Sequence, residues 1–83
     1  MSMIFFTYRV PMEARRGASI LSAAGIRGRL AKTPAKLAGK GCGYGIWVPK
    51  SQGYAAAMEL RGRNCPYERS YLMGEGPAKE VEL

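Results

Sequence analysis

The sequence predicts an α+β domain with elements in the order β-α-β-β-α-β, and three observations carry that expectation. Apolar and aromatic residues gather in short runs of strand length, two alanine-containing stretches between them have helical character, and proline or glycine marks the junctions. The chain has 83 residues, 47% of them hydrophobic, which suits one domain with a thin core.

Each element has its own signal. Met3-Ile4-Phe5-Phe6-Thr7-Tyr8 is β-branched and aromatic, and it is apolar on both alternating faces, as a central strand requires. Pro11 suits the first turn of a helix and Glu13 its positive end. Ala14, Ala18, Leu21 and Ala24 then recur at helical spacing, and Gly25 supplies the stop. Residues 26–33, with Arg27, Arg29 and Lys32, read as an edge strand ended by Pro34. A loop from Ala35 to Gly43 leads into Tyr44-Gly45-Ile46-Trp47-Val48, a third strand closed by Pro49. Ser51 is the expected N-cap of a helix over Gln52 to Arg63, although Tyr54 with Met58 and Ala57 with Leu60 mark two different faces. Asn64 ends that helix, and Tyr67 to Met73 forms the last strand.

This order is the ferredoxin-like split βαβ pattern: a four-stranded antiparallel sheet with two helices on one face. The domain is expected over 1–74, with 75–83 as an acidic, disordered tail. The formal charge is +7; the tail holds one lysine and three glutamates, so residues 1–74 carry +9. A field of that sign attracts phosphates, nucleic acid or acidic protein surfaces.

Composition also excludes classes of function. No apolar stretch approaches the roughly 18 residues of a membrane span, and Met3 to Phe6 is too short for a secretory signal, so a cytoplasmic protein is expected. Two cysteines without any histidine cannot complete a zinc site, and no cofactor motif is present. Without a histidine base or a phosphate-loop sequence, a carrier or binding domain is expected ahead of an enzyme.

Chemistry points instead to Cys42, in Lys40-Gly41-Cys42-Gly43. Sulfur reacts as thiolate, so Cys42 needs positive charge or amide donors to lower its pKa from about 8.5. Lys40 supplies charge, while Gly41 and Gly43 let backbone N–H groups approach without obstruction. The topology brings the start of the third strand, the end of the first, the N-terminus of the first helix and Cys65 to one end of the molecule. Cys65 is thus a second candidate, as a resolving thiol or as a small buried residue at a helix-to-strand corner.

Thr33-Pro34, Leu37 and Gly41-Cys42-Gly43, followed by the third-strand run and preceded by the Ala24-Gly25-Ile26 turn, resemble the putative selenium/sulfur carrier protein-like family over most of the chain. The resemblance implies a small domain whose Cys42 holds sulfur or selenium as a persulfide or selenopersulfide, received from a donor protein. Cys65 and the heavy positive charge are departures from the simplest one-cysteine pattern.

Two other classes stay open. An RRM shares the element order; Gly43-Tyr44-Gly45 matches the centre of the RNP1 pattern, but Cys42, Ile46 and Pro49 break it. Arg9, Arg15, Arg16, Arg27, Arg29 and Lys32 would then bind phosphates of nucleic acid. A structural or adaptor subunit would instead form a homodimer by burying Phe5, Tyr8, Tyr44 and Trp47 on an open sheet face.

Overall fold

The computed structural model describes residues 2–37 and 43–83. Strands β1 (Met3–Tyr8), β2 (Arg29–Lys32), β3 (Tyr44–Pro49), β4 (Arg69–Met73) and β5 (Lys79–Glu80) join helices α1 (Pro11–Ala23) and α2 (Gly53–Gly62), with 3-10 turns at Ala35–Leu37 and Lys50–Gln52. The sheet is antiparallel in the order β2-β3-β1-β4-β5. Its first four strands are compatible with the ferredoxin-like arrangement, but the count is five instead of the expected four. The extra strand comes from the acidic segment set apart as a tail, where Lys79 and Glu80 pair with Leu72 and Tyr71.

The central position of β1 follows from its composition. Ile4, Phe6 and Tyr8 point toward the helices and Phe5 toward the opposite face, and all four are buried. On the helix side they meet Ala14 and Leu21 of α1, Ile46 and Val48 of β3, and Ala56, Ala57 and Leu60 of α2. The two faces that were indistinct in α2 are thereby separated: Ala56, Ala57 and Leu60 face inward, while Tyr54 and Met58 are exposed. In α1 the stripe is Ala14, Gly17 and Leu21, with Ala18 half-buried and Ala24 exposed.

Both helices end in the same way. After α1, Gly25 (φ 78°) lets its own N–H donate to the Ser22 carbonyl and the Ile26 N–H donate to the Leu21 carbonyl. After α2, Asn64 (φ 60°) repeats the pattern, donating to Arg61 while Cys65 N–H donates to Leu60. These are Schellman closures, each with a buried leucine packed near the apolar residue two positions beyond the cap. Ile26 therefore belongs to a helix stop and not to β2, which is shorter than the 26–33 expected. The start of α2 also departs from expectation. Lys50–Gln52 forms a 3-10 turn, Gln52 and not Ser51 precedes the helix, and no side-chain cap is made. The Gln52 carboxamide oxygen instead accepts from the Arg27 N–H at 3.3 Å.

The face of the sheet away from the helices is not bare. Phe5, Tyr71 and Met73 form a second cluster roofed by Leu37 from the turn after β2, with Trp47 and Ala78 alongside. Phe5 and Trp47 pack tilted, with centroids 4.8 Å apart. Of the four aromatics expected on an open face, Phe5 is fully covered, while Tyr8 and Tyr44 pack with the helix-side core. Trp47 is the one of the four that stays half-exposed on this face.

Candidate functional site

The link between β2 and β3 is anchored at its two ends by local chemistry. Gly43 continues the β2–β3 pairing one step beyond Lys32 and Tyr44. Its carbonyl accepts two hydrogen bonds from Thr33, one from the backbone N–H at 3.0 Å and one from the hydroxyl at 3.1 Å. Leu37, 1% exposed, fixes the descending arm to the second cluster. Gly43 itself has φ 93°, and a Cβ there would stand 3.2 Å from the Arg9 carbonyl oxygen. The neck is therefore pressed against the end of β1, and only glycine fits it without strain.

Gly45 makes a second close approach. A Cβ on it would collide with the Phe6 carbonyl oxygen and with the Phe5 ring, which lies over the glycine. The Phe5 ring thus occupies space that any larger residue at 45 would need.

The far side of this end is built from Tyr8, Glu13 and Cys65. Cys65 is fully buried, and its thiol lies 3.5 Å from the Glu13 carbonyl and 3.8 Å from the Tyr8 hydroxyl. Tyr8 donates its hydroxyl to the Cys65 carbonyl at 2.7 Å. Burial, and then the Cys65 neighbour, push the Tyr8 phenol far above its ordinary pKa. This cluster ties the end of β1 to the first turn of α1 and to the closure after α2.

Arg9 lies between the two groups, its guanidinium paired with the Glu68 carboxylate at 2.8 Å. Glu68 is held in turn by its N–H, which donates to the Thr7 carbonyl at 2.7 Å. Tyr8, Arg9, Val10, Glu13, Pro66 and Glu68 line an open depression of about 300 Å³ here, with charges of both signs.

Gly43, Arg9 and Cys65 are thus gathered at one end of the sheet, as the topology requires. Cys42, Lys40 and Gly41 lie outside the described residues. Glu68, and the hydrogen-bonding role of Thr33, are not marked in the sequence. Glu68 is one acidic residue in a basic chain with nothing in its spacing to mark it, and the doubled donation of Thr33 depends on a register seen only once β2 and β3 are paired. Tyr44, at the centre of the RNP1-like triplet, packs with the helix-side core. Among the described residues no group of three or more histidine, cysteine or acidic side chains is placed to hold a metal ion, and no helix is long and apolar enough to cross a membrane.

A family model described as Putative Se/S carrier protein-like matches residues 4–72, from β1 into β4 and including the β2–β3 link. No curated protein and no solved structure matches the chain.

Proposed function

This chain belongs to the Putative Se/S carrier protein-like family, and from that premise we propose that it carries sulfur or selenium on Cys42, as a persulfide or selenopersulfide. The observation that supports this assignment most directly is the burial of Cys65. Of the chain's two cysteines, that one is shut in the core with its thiol directed at a carbonyl. It closes a helix and has no path to a donor, so we give it a structural role and not that of a resolving thiol. In the sequence Cys42 is flanked by Gly41 and Gly43, with Lys40 two positions before it to favour the thiolate.

The transfer is an exchange at sulfur. The Cys42 thiolate attacks the terminal sulfur of a donor persulfide, a new S–S bond forms as the donor's S–S bond breaks, and the donor leaves as its thiolate. Electrons and atoms balance without an external oxidant. Delivery is the same step with the acceptor as nucleophile, and selenium replaces the terminal sulfur in the selenopersulfide case. On this reading the partners are a donor and an acceptor protein, residues 1–74 are the ferredoxin-like working unit, and the cytoplasm is the compartment whose reducing poise keeps the thiol available.

The test is to incubate reduced protein with a sulfur-loaded cysteine desulfurase and record the intact mass. A gain of one sulfur atom that thiol reductant reverses is expected for the wild type and for Cys65→Ala, and none for Cys42→Ser. Equal loading of the Cys42→Ser protein, or none in the wild type, would overturn the proposal.

A further inference from the structure

On the face away from the helices, at the β2 edge of the sheet, Met3, Arg27, Gly28, Arg29, Trp47 and Pro49 line an open depression of about 410 Å³. Its size falls within the roughly 300 to 1,000 Å³ of small-ligand sites. The placement of its two arginines follows from strand alternation. Leu30 packs toward the helices, and a side chain at Gly28 would press on Leu21 and Ile46, so residues 27 and 29 share the opposite face. Arg29 is directly across from Trp47 in the β2–β3 register, and Met3 is across from Pro49. The Arg27 backbone is held by Gln52, and Gly28 is seated on the core, so the basic pair stands on a fixed support.

Charge in this depression is one-sided. No carboxylate lines it. Three of the chain's six glutamates are engaged elsewhere, Glu68 with Arg9, Glu59 with Arg63 and Glu80 with Arg69. No ion pair among the described residues reaches Arg27 or Arg29. The indole of Trp47 rests on Phe5 and is half-exposed beside them.

We infer that this depression is a nucleotide-binding site, in which a base stacks on Trp47 and a phosphate is held by Arg27 and Arg29. Two guanidinium groups alone would suit any anion. The adjoining indole, with Met3 and Pro49 as apolar walls, selects an anion that carries a flat aromatic group. A free nucleotide and one residue of a single strand offer the same chemistry, and the experiment separates them. The site involves neither cysteine and is independent of the carrier proposal.

Trp47 is the chain's one tryptophan, so its fluorescence reports on this site alone. The full chain is titrated with AMP, with an eight-residue oligoadenylate and with polyglutamate, at several salt concentrations. Saturable quenching by AMP or by the oligonucleotide is expected. Tighter half-saturation by the oligonucleotide identifies a strand as the ligand; equal half-saturation per base identifies the free nucleotide. Replacing both Arg27→Gln and Arg29→Gln should weaken oligonucleotide binding and flatten the slope of log affinity against log salt by about 1.4. The same charge removed from α1, as Arg15→Gln with Arg16→Gln, should leave affinity within about twofold, since those exposed side chains lie on another element. Circular dichroism checks that each variant is folded. Cys42→Ser should bind as the wild type does, so a failure of sulfur loading and a failure of this site are read separately. The inference is overturned if neither nucleotide ligand quenches saturably, if the two double variants lose affinity equally, or if polyglutamate quenches as well as the oligonucleotide.

Discussion

At Gly43 a positive φ and a tight contact coincide, because φ is 93° and the Arg9 carbonyl oxygen stands 3.2 Å from where a Cβ would sit. Gly43→Ala must take up a conformation disfavoured by about 1–2 kcal/mol in L-residues and also press on β1. The expected result is a lower urea midpoint at unchanged slope, the sign of lost stability without a changed unfolded state. Tyr8 gives a prediction in pH. Its folded-state pKa is raised, by burial first, so below its ordinary value of about 10 both folded and unfolded chains hold the phenolic proton and pH has no leverage through it. Above that value the unfolded chain loses the proton while the folded one keeps it, so stability falls as pH rises. Tyr8→Phe should be less stable at neutral pH, having lost the bond to the Cys65 carbonyl, yet should lose less stability than wild type between pH 9 and 11 in paired urea titrations. Equal alkaline slopes for the two proteins would show that Tyr8 does not govern this response. Cys65 yields a third test at this scale. In the Cys42→Ser background, alkylation of Cys65 should be slow under native conditions and fast in urea, following global unfolding.

Among the elements, the turn Ala35–Leu37 does the least obvious work. Leu37 covers Phe5, Tyr71 and Met73 on a sheet face that helices do not reach. Leu37→Ala should cost about 2 kcal/mol, the low end for a buried leucine, because a turn can settle into the space more readily than a helix can. Thermal unfolding would measure it, and a loss below a few tenths would mean that the leucine is not a roof. Both helices and strands β1 to β4 were legible in the sequence because each has a local cause: β-branched and aromatic runs in β1 and β3, Pro11 at the start of α1, Gly25 and Asn64 at the two helix stops; β5, in the segment expected to be a disordered tail, was not. What escaped was non-local. Ser51 has the chemistry of a cap, but Lys50–Gln52 winds into a 3-10 turn and the cap is never formed. The role of Leu37 depends on which sheet face its turn folds over, and the charge balance at Arg9 depends on Glu68, a residue 59 positions away. Cys65 was legible as a corner residue, but its complete burial follows from the packing of Tyr8 and the first turn of α1, which no short window of sequence contains.

For the whole molecule, stability is distributed toward the β5 side more than a five-residue strand β4 suggests. Val81 and Leu83 pack against the helix-side core, Ala78 packs against the other cluster, and Ser70 exchanges hydrogen bonds with Val81 at 2.7 and 2.9 Å. Arg61 reaches across to Tyr67 at 2.7 Å and to the Leu83 carbonyl. A chain ending at Gly76 should therefore fold but lose about 2 kcal/mol, from two half-buried aliphatic side chains alone. Its hydrogen exchange should rise first in β4, whose outer edge would then be open to water. At the other edge of the sheet, two donors from Thr33 converge on one acceptor and clasp the mouth of the β2–β3 connection. A clasp of that kind, with Leu37 kept as part of the scaffold, separates the register of the sheet from the length of chain between Leu37 and Gly43. Because closure entropy grows only logarithmically, at about 0.6 kcal/mol per doubling of length, evolution or an engineer can splice foreign sequence beyond the clasp while the sheet beneath keeps its register.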